Sequence, residues 1–231
     1  QTDIVRFILG EVGKLEYHHQ KCDVLFQQDS CGQSSLMWAA ERGRRDVFDL
    51  ILGANFLELH DKYKLLSQQN NTGGDSLGLA VEKVDRGIVR SILGVPGLTD
   101  FQKSELLLQQ DKAQNRTLLL AVQADHVEIV RLMLDSLEDP GNKCQLLSHY
   151  NKDGLTSLIL AAGKGNEDMV GLILNESGLE PDQKYELLSQ QGKHCVSPLL
   201  MAAMEGHREI VRLILNEAGL DPDQKYELLS H

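Results

Sequence analysis

Apolar pairs return along this chain at a fixed interval. The segment LLSQQ at 65–69 recurs as LLLQQ at 106–110, LLSHY at 146–150 and LLSQQ at 187–191. It begins once more as LLSH at 228–231, and VLFQQ at 24–28 is a weaker first copy. The six starts lie 41, 41, 40, 41 and 41 residues apart. A period near 41 across the whole chain predicts stacked repeats, each resting on its neighbours, rather than one globular core. It places full units at 29–69, 70–110, 111–150, 151–191 and 192–231, preceded by a partial unit at 1–28.

Within one unit the hydrophobic positions resolve into three short helices. In 151–191, Asp153 and Gly154 form a turn pair and Thr156 is placed to cap a helix, with Ser34, Asp75 and Ser197 in the matching places. Arg116 breaks that capping series. Leu158, Ala161 and Ala162 share one helical face, and Gly165 ends the helix, as Gly43 and Gly206 do elsewhere. Met169, Val170, Ile173 and Leu174 mark a second helix with Glu167 and Asp168 at its favourable N-terminal end. Gly178 stops that second helix, and Glu180, Pro181 and Gln183 open a third, EPDQKYELLS; Thr99 and Gln102 make a fuller capping box in the second full unit. No strand signal appears. The leucines at 36, 77, 118, 158 and 199 are expected to form one buried ladder, and Val47, Ile88, Ile129, Met169 and Ile210 another.

The first two helices of each unit resemble the ankyrin repeat, whose pattern runs from a turn through G-x-T-P-L-H-x-A-A to G-H, I-V and L-L. Gly154, Thr156, Leu158, Ala161, Ala162, Gly165, Met169, Val170, Ile173 and Leu174 match it, and so do Ser197, Pro198, Leu199, Ala202, Ala203, Gly206, His207, Ile210, Val211, Ile214 and Leu215. The resemblance covers all five full units and implies an all-α solenoid of ankyrin-like repeats. Three departures stand out. Val84 and Asp125 replace the glycine that ends the first helix, and the family's histidine after the first leucine is absent. An ankyrin repeat runs to about 33 residues, so the surplus here encodes the third helix, expected to replace or remodel the family's hairpin finger. In general style the array is also similar to ankyrin arrays in effector proteins of intracellular bacteria.

Charge narrows the function classes. A formal net charge of −11 argues against wholesale nucleic-acid binding, which needs a basic footprint. Acidity grows toward the C-terminal half, from six acids and five bases in 24–64 to seven acids and three bases in 146–186. Glu176, Glu180, Asp182, Glu186, Glu217, Asp221 and Asp223 read as a solvated outer face. No apolar run approaches bilayer length, so no membrane span is expected. Cys22, Cys31, Cys144 and Cys195 show no CxxC pair and read as reduced, mostly buried thiols in a cytoplasmic protein, or one in host cytosol if it is a secreted effector.

Chemistry is sparse. Glu16, His18, His19 and Cys22 do not present a full metal-ligand set on one helical face. His194 beside Cys195 falls in a variable turn, and Trp38 at a core position of its helix. No catalytic residue, cofactor or metal is expected, and the chain reads as a non-catalytic protein-interaction module. The alternative is a substrate-docking or targeting arm of a larger effector enzyme whose catalytic domain lies elsewhere. DIVRFILG at 3–10 matches REIVRLILN at 208–216 without a first helix of its own, and the last repeat is as apolar as its neighbours. The chain is therefore expected to be a fragment of a longer protein, or to self-associate through uncapped ends. The resemblance implies a partner site in a concave groove lined by the turn before each first helix and by that helix's exposed end. Those positions are locally basic. Arg42, Lys83, Lys112, Lys152, Lys164 and Lys193 are expected to steer an acidic segment of a protein partner, with Asn115 and Gln123 hydrogen-bonding it.

Overall fold

The computed structural model describes residues 2–111, 117–176, 178–217 and 220–230. Among them the architecture is all-α, with three helices per full repeat. The partial unit holds α1 (Thr2–Gly13) and α2 (His18–Phe26). The next two repeats hold α3 (Ser35–Glu41), α4 (Arg45–Leu52) and α5 (Leu59–Leu66), then α6 (Ser76–Glu82), α7 (Arg86–Leu93) and α8 (Asp100–Leu108). The third holds α9 (Thr117–Gln123), α10 (Val127–Asp135) and α11 (Pro140–Ser148). The fourth holds α12 (Ser157–Lys164), α13 (Glu167–Leu174) and α14 (Pro181–Ser189), and the fifth α15 (Pro198–Met204), α16 (Arg208–Leu215) and α17 (Pro222–Ser230), after a 3-10 turn at Lys193–Cys195. The chain forms two compact units, Gln1–Lys112 and Ala113–His231, divided at a repeat boundary.

Inside each unit equivalent helices lie side by side. In the first, α3 packs on α6, α1 on α4 and α4 on α7, and α2 on α5; in the second, α9, α12 and α15 form one column, α10, α13 and α16 another, and α11, α14 and α17 a third. Alanines at 39, 40, 80, 121, 161, 162 and 202 are all buried, so the first helices approach closely. The five ladder leucines are buried, as are Ile88, Ile129, Met169 and Ile210. Val47 departs from expectation. It is only half covered, and Phe48 beside it is the fully buried residue of α4.

Capping follows the sequence. Ser34, Asp75, Thr156 and Ser197 each accept a backbone N–H from the third residue of the helix they open. Arg116 lies outside the described residues. Glu180 with Gln183, and Thr99 with Gln102, make reciprocal capping boxes. Gly43, Gly165 and Gly206 take left-handed backbone where their helices end, and Val84 and Asp125 adopt the same region at φ 59°. The turn geometry is thus kept even where a side chain makes it costly, by about 1–2 kcal/mol per residue.

The doubled glutamine that follows the leucine pairs of the first unit has a structural purpose that spacing alone did not reveal. In the first unit Gln28 donates its amide to the Gln69 carbonyl, and Gln69 to that of Gln110, each at 3.0 Å. Gln68 and Gln109 reach the opposite way, to Phe26 O at 3.0 Å and Ser67 O at 3.3 Å. Within the first unit, therefore, adjoining layers are held together by side-chain-to-backbone bonds in both directions.

The acidic outer face needs correction. Glu176 and Glu217 do not lie on a solvated surface. Lys143 Nζ donates to Glu176 at 2.6 Å with side chains 9% and 6% exposed, and Lys184 to Glu217 at 2.7 Å. A lysine stands at this point of all six third helices (21, 62, 103, 143, 184, 225), but a glutamate follows 33 residues later only at 176 and 217. Breaking such a pair on one side leaves a buried charge uncompensated, a cost of about 3–5 kcal/mol. Glu176→Gln should therefore lower stability by that order in denaturant unfolding, while Lys143→Met combined with Glu176→Leu recovers most of the loss. Equal stability of Glu176→Gln and wild type would show the pair to be energetically idle.

Asp75 generates a second prediction. Burial pushes its carboxyl from 3.8 up to about 6, against the helix N–H bonds from Gly78 and Leu77 that favour the ionised form. The folded state thus holds this proton more tightly than the unfolded chain. Its contribution to stability is fully present below 3.8 and is lost as pH rises through about 6. Serine caps α3 and α15 without that penalty. Asp75→Ser is expected to gain roughly 1–3 kcal/mol over wild type at neutral pH, with the advantage vanishing below the window. Urea unfolding of both proteins across that range checks the sign.

Candidate partner-binding surface

Three of the tips that precede first helices are tight turns built around an Asn or Asp side chain. Asp29 Oδ1 accepts from the backbone of Cys31 and Gln33, Asn70 Oδ1 from Thr72 and Gly74, and Asn151 Oδ1 from Asp153 and Leu155. Neighbouring tips bond directly: Asn71 donates its backbone N–H to Cys31 O and its amide to Ser30 O, and Lys193 N–H reaches Asp153 O. Gly154 is required here twice over. Its φ is +75°, and a Cβ at that point would lie 2.8 Å from Lys193 N. In place of hairpin fingers, isolated bridges pair Gln28 with Ser34 and Tyr150 with Thr156, and the described residues contain no strand.

In the first unit Arg42 and Lys83 occupy equivalent C-caps of α3 and α6, both exposed. Arg42 lies over Trp38, its guanidinium 5.0 Å from the ring centroid. Trp38 was expected in the core, but it is 37% exposed, and its indole N–H donates to Asp29 at 2.9 Å. That bond and the Gln33 backbone hold the Asp29 carboxyl below its usual range, the backbone bond contributing most. Trp38, Arg42 and Arg44 line an open cleft with Ile4, Val5, Ser35, Ala39 and Val47. Trp and Arg are the residue types that most often anchor protein interfaces.

In the second unit Gln123 and Lys164 end α9 and α12, and Lys152 and Lys193 sit on successive tips. All four are exposed. Two of these lysines are already engaged: Lys164 with Asp125 at 3.1 Å and Lys193 with Asp153 at 3.8 Å. Among the described residues neither Lys83 nor Lys152 has an ion pair. Lys152, Lys193 and the exposed Tyr150 border a shallow cleft whose floor includes Gly154, Gln190 and Gly192. Lys112 and Asn115 lie outside the described residues. Of the four cysteines, all free, Cys22 and Cys144 are buried while Cys31 and Cys195 are exposed on tips, so the expectation of mostly buried thiols holds for half of them. Sequence reasoning missed Trp38 and Tyr150 as surface features. The signal for Trp38 was its phase, since Leu79, Leu120, Leu160 and Met201 in the same place are also only half covered.

The model for ankyrin repeats (3 copies) matches residues 77–185 and 118–226. The chain belongs to the ankyrin-repeat family, an all-α repeat solenoid whose members are generally protein-interaction modules. An ankyrin repeat domain from Acinetobacter baumannii AYE is similar at a TM-score of 0.66 and 20% identity, over 92% of each chain. The ankyrin repeat protein EF0377 is similar at a TM-score of 0.69 and 17% identity, over 94% of this chain and 92% of that one. At these identities the likeness speaks for the fold alone. The comparison with curated proteins finds no match. Among the described residues no helix is long and apolar enough to cross a membrane.

Proposed function

We propose that this chain is a non-catalytic protein-binding module of the cytoplasm that takes an acidic segment of its partner along the tips and the exposed ends of the first helices. The observation that carries this reading is the placement of charge. On a body of net charge −11, cations recur at these equivalent exposed positions: Arg42 and Lys83 in one unit, Lys152, Lys164 and Lys193 in the other. Cations so arranged raise the encounter rate with an acidic partner. Trp38 beneath Arg42, and Tyr150 beside Lys152, add flat aromatic surface of the kind interfaces use. Gln123 offers an amide to the same segment, and Lys112 and Asn115 complete the series by their place in the repeat.

The ion pairs rank the lysines. Lys83 and Lys152 present uncompensated charge, whereas Lys164 and Lys193 are partly neutralised by Asp125 and Asp153. Charge reversal at Lys83 or Lys152 should therefore weaken partner capture more than reversal at Lys164. The measurement is quantitative pull-down of bound proteins with wild type, Lys83→Glu, Lys152→Glu, the double variant and Lys164→Glu, repeated at rising salt. At least a tenfold loss for the double variant is expected, shrinking as salt screens the interaction. Unchanged recovery would move the site off this surface, with the third helices next in line.

A further inference from the structure

His18 and Cys22 stand one turn apart on α2, with Cys22 Sγ 3.4 Å from His18 Nε2. What the local sequence lacked was a further ligand, and folding supplies it from the next repeat. Asp61, in the first turn of α5, brings Oδ2 to 2.9 Å from the same nitrogen. The three donor atoms all lie within 4.8 Å of one another. Zinc bonds such ligands at ~2.0–2.3 Å, which sets tetrahedral neighbours roughly 3.4–3.8 Å apart. Movements of about an ångström therefore close the set around an ion. His19 takes no part, because its ring stacks on Tyr17 at 5.7 Å.

The repeat itself argues that these residues are not there for the scaffold. Asp61's position holds an amide in every other copy: Gln20, Gln102, Asn142, Gln183 and Gln224. Gln102 and Gln183 complete the same capping box that Asp61 completes with Glu58, so the cap does not require a carboxylate. His18's position holds proline in three of the other five copies and a histidine in none. The two departures meet at one contact between α2 and α5, beside a cysteine only 3% exposed. The cap also fixes the carboxylate, since Glu58 N–H donates to Asp61 Oδ2 at 2.9 Å. Asp23 and Glu58 add negative charge around the thiol. His18 remains 48% exposed, which leaves a route from solvent.

We propose that His18 Nε2, Cys22 Sγ and the Asp61 carboxylate bind one zinc ion that clamps α2 to α5, with the fourth position open to water. Thiolate, imidazole and carboxylate together suit zinc rather than magnesium or calcium, which take oxygen ligands. As the zinc–sulfur bond forms, the Cys22 proton leaves to solvent. His18 binds as the neutral imidazole with its proton on Nδ1.

The test uses untagged, reduced and chelator-stripped protein, titrated with zinc chloride against a chromophoric zinc chelator and, separately, with cobalt(II). One equivalent of zinc, a thiolate-to-cobalt charge-transfer band and a rise in Tm with zinc are expected. Asp61→Gln installs the amide of the other repeats and so keeps the cap and the fold; with His18→Gln it should weaken zinc binding at least tenfold at unchanged circular dichroism. Cys22→Ser should abolish the cobalt band, while Cys31→Ser combined with Cys195→Ser should keep both the band and the single equivalent. No stoichiometric zinc, or binding that survives Asp61→Gln and His18→Gln together, overturns the proposal. So does binding that is lost on replacing Cys31 and Cys195, which would assign it to the exposed thiols.

Discussion

A layer of three short helices cannot cover its own apolar faces. Helices of seven to nine residues such as α6 and α8 are too short to persist alone in water. They exist here because the next layer buries what each leaves open. That mutual dependence sets the other features. Alanines stand where first helices touch, and in the first unit glutamine amides meet backbone carbonyls of the adjoining layers. The glutamine bonds at 28, 68, 69 and 109 are the clearest case, since each joins a side chain to a carbonyl 41 or 42 residues away. On the third helices the link between layers is side chain to side chain, with the Tyr63 hydroxyl donating to the Glu105 carboxylate and that of Tyr185 to Glu227.

Burial inside such a stack depends on what the neighbour brings, and this decided what was legible in the sequence. Helix number, caps and the left-handed residues at helix ends are local, and they stood in the sequence at the right places, including Val84 and Asp125 where glycine is usual. Partners one repeat away were not local. Glu176 and Glu217 look like surface acids until the lysines 33 residues earlier are placed against them. The basic positions were legible as exposed cations, yet two of them turn out to be partly neutralised by acids 39 and 40 residues away. Trp38 was misread for a related reason. Its helix turns the neighbours Met37 and Ala39 inward and leaves position 38 half covered in every copy.

A repeat chain carries its own control, because each position is written five or six times. Where the copies agree, as with the third-helix lysine and the paired leucines, the residue answers to the scaffold. Where one copy departs at some cost, the scaffold gives no reason for it. Cys195 holds φ 59° at a tip where Gly32, Gly73 and Gly154 take that conformation freely. By itself this is a strained turn and points to no ligand. His18 and Asp61 differ from it in kind, because two unrelated departures in adjacent copies meet at one point in space, around a third side chain able to join them. Coincidence of departures separates a built site from a tolerated substitution, and within the first unit this contact has it.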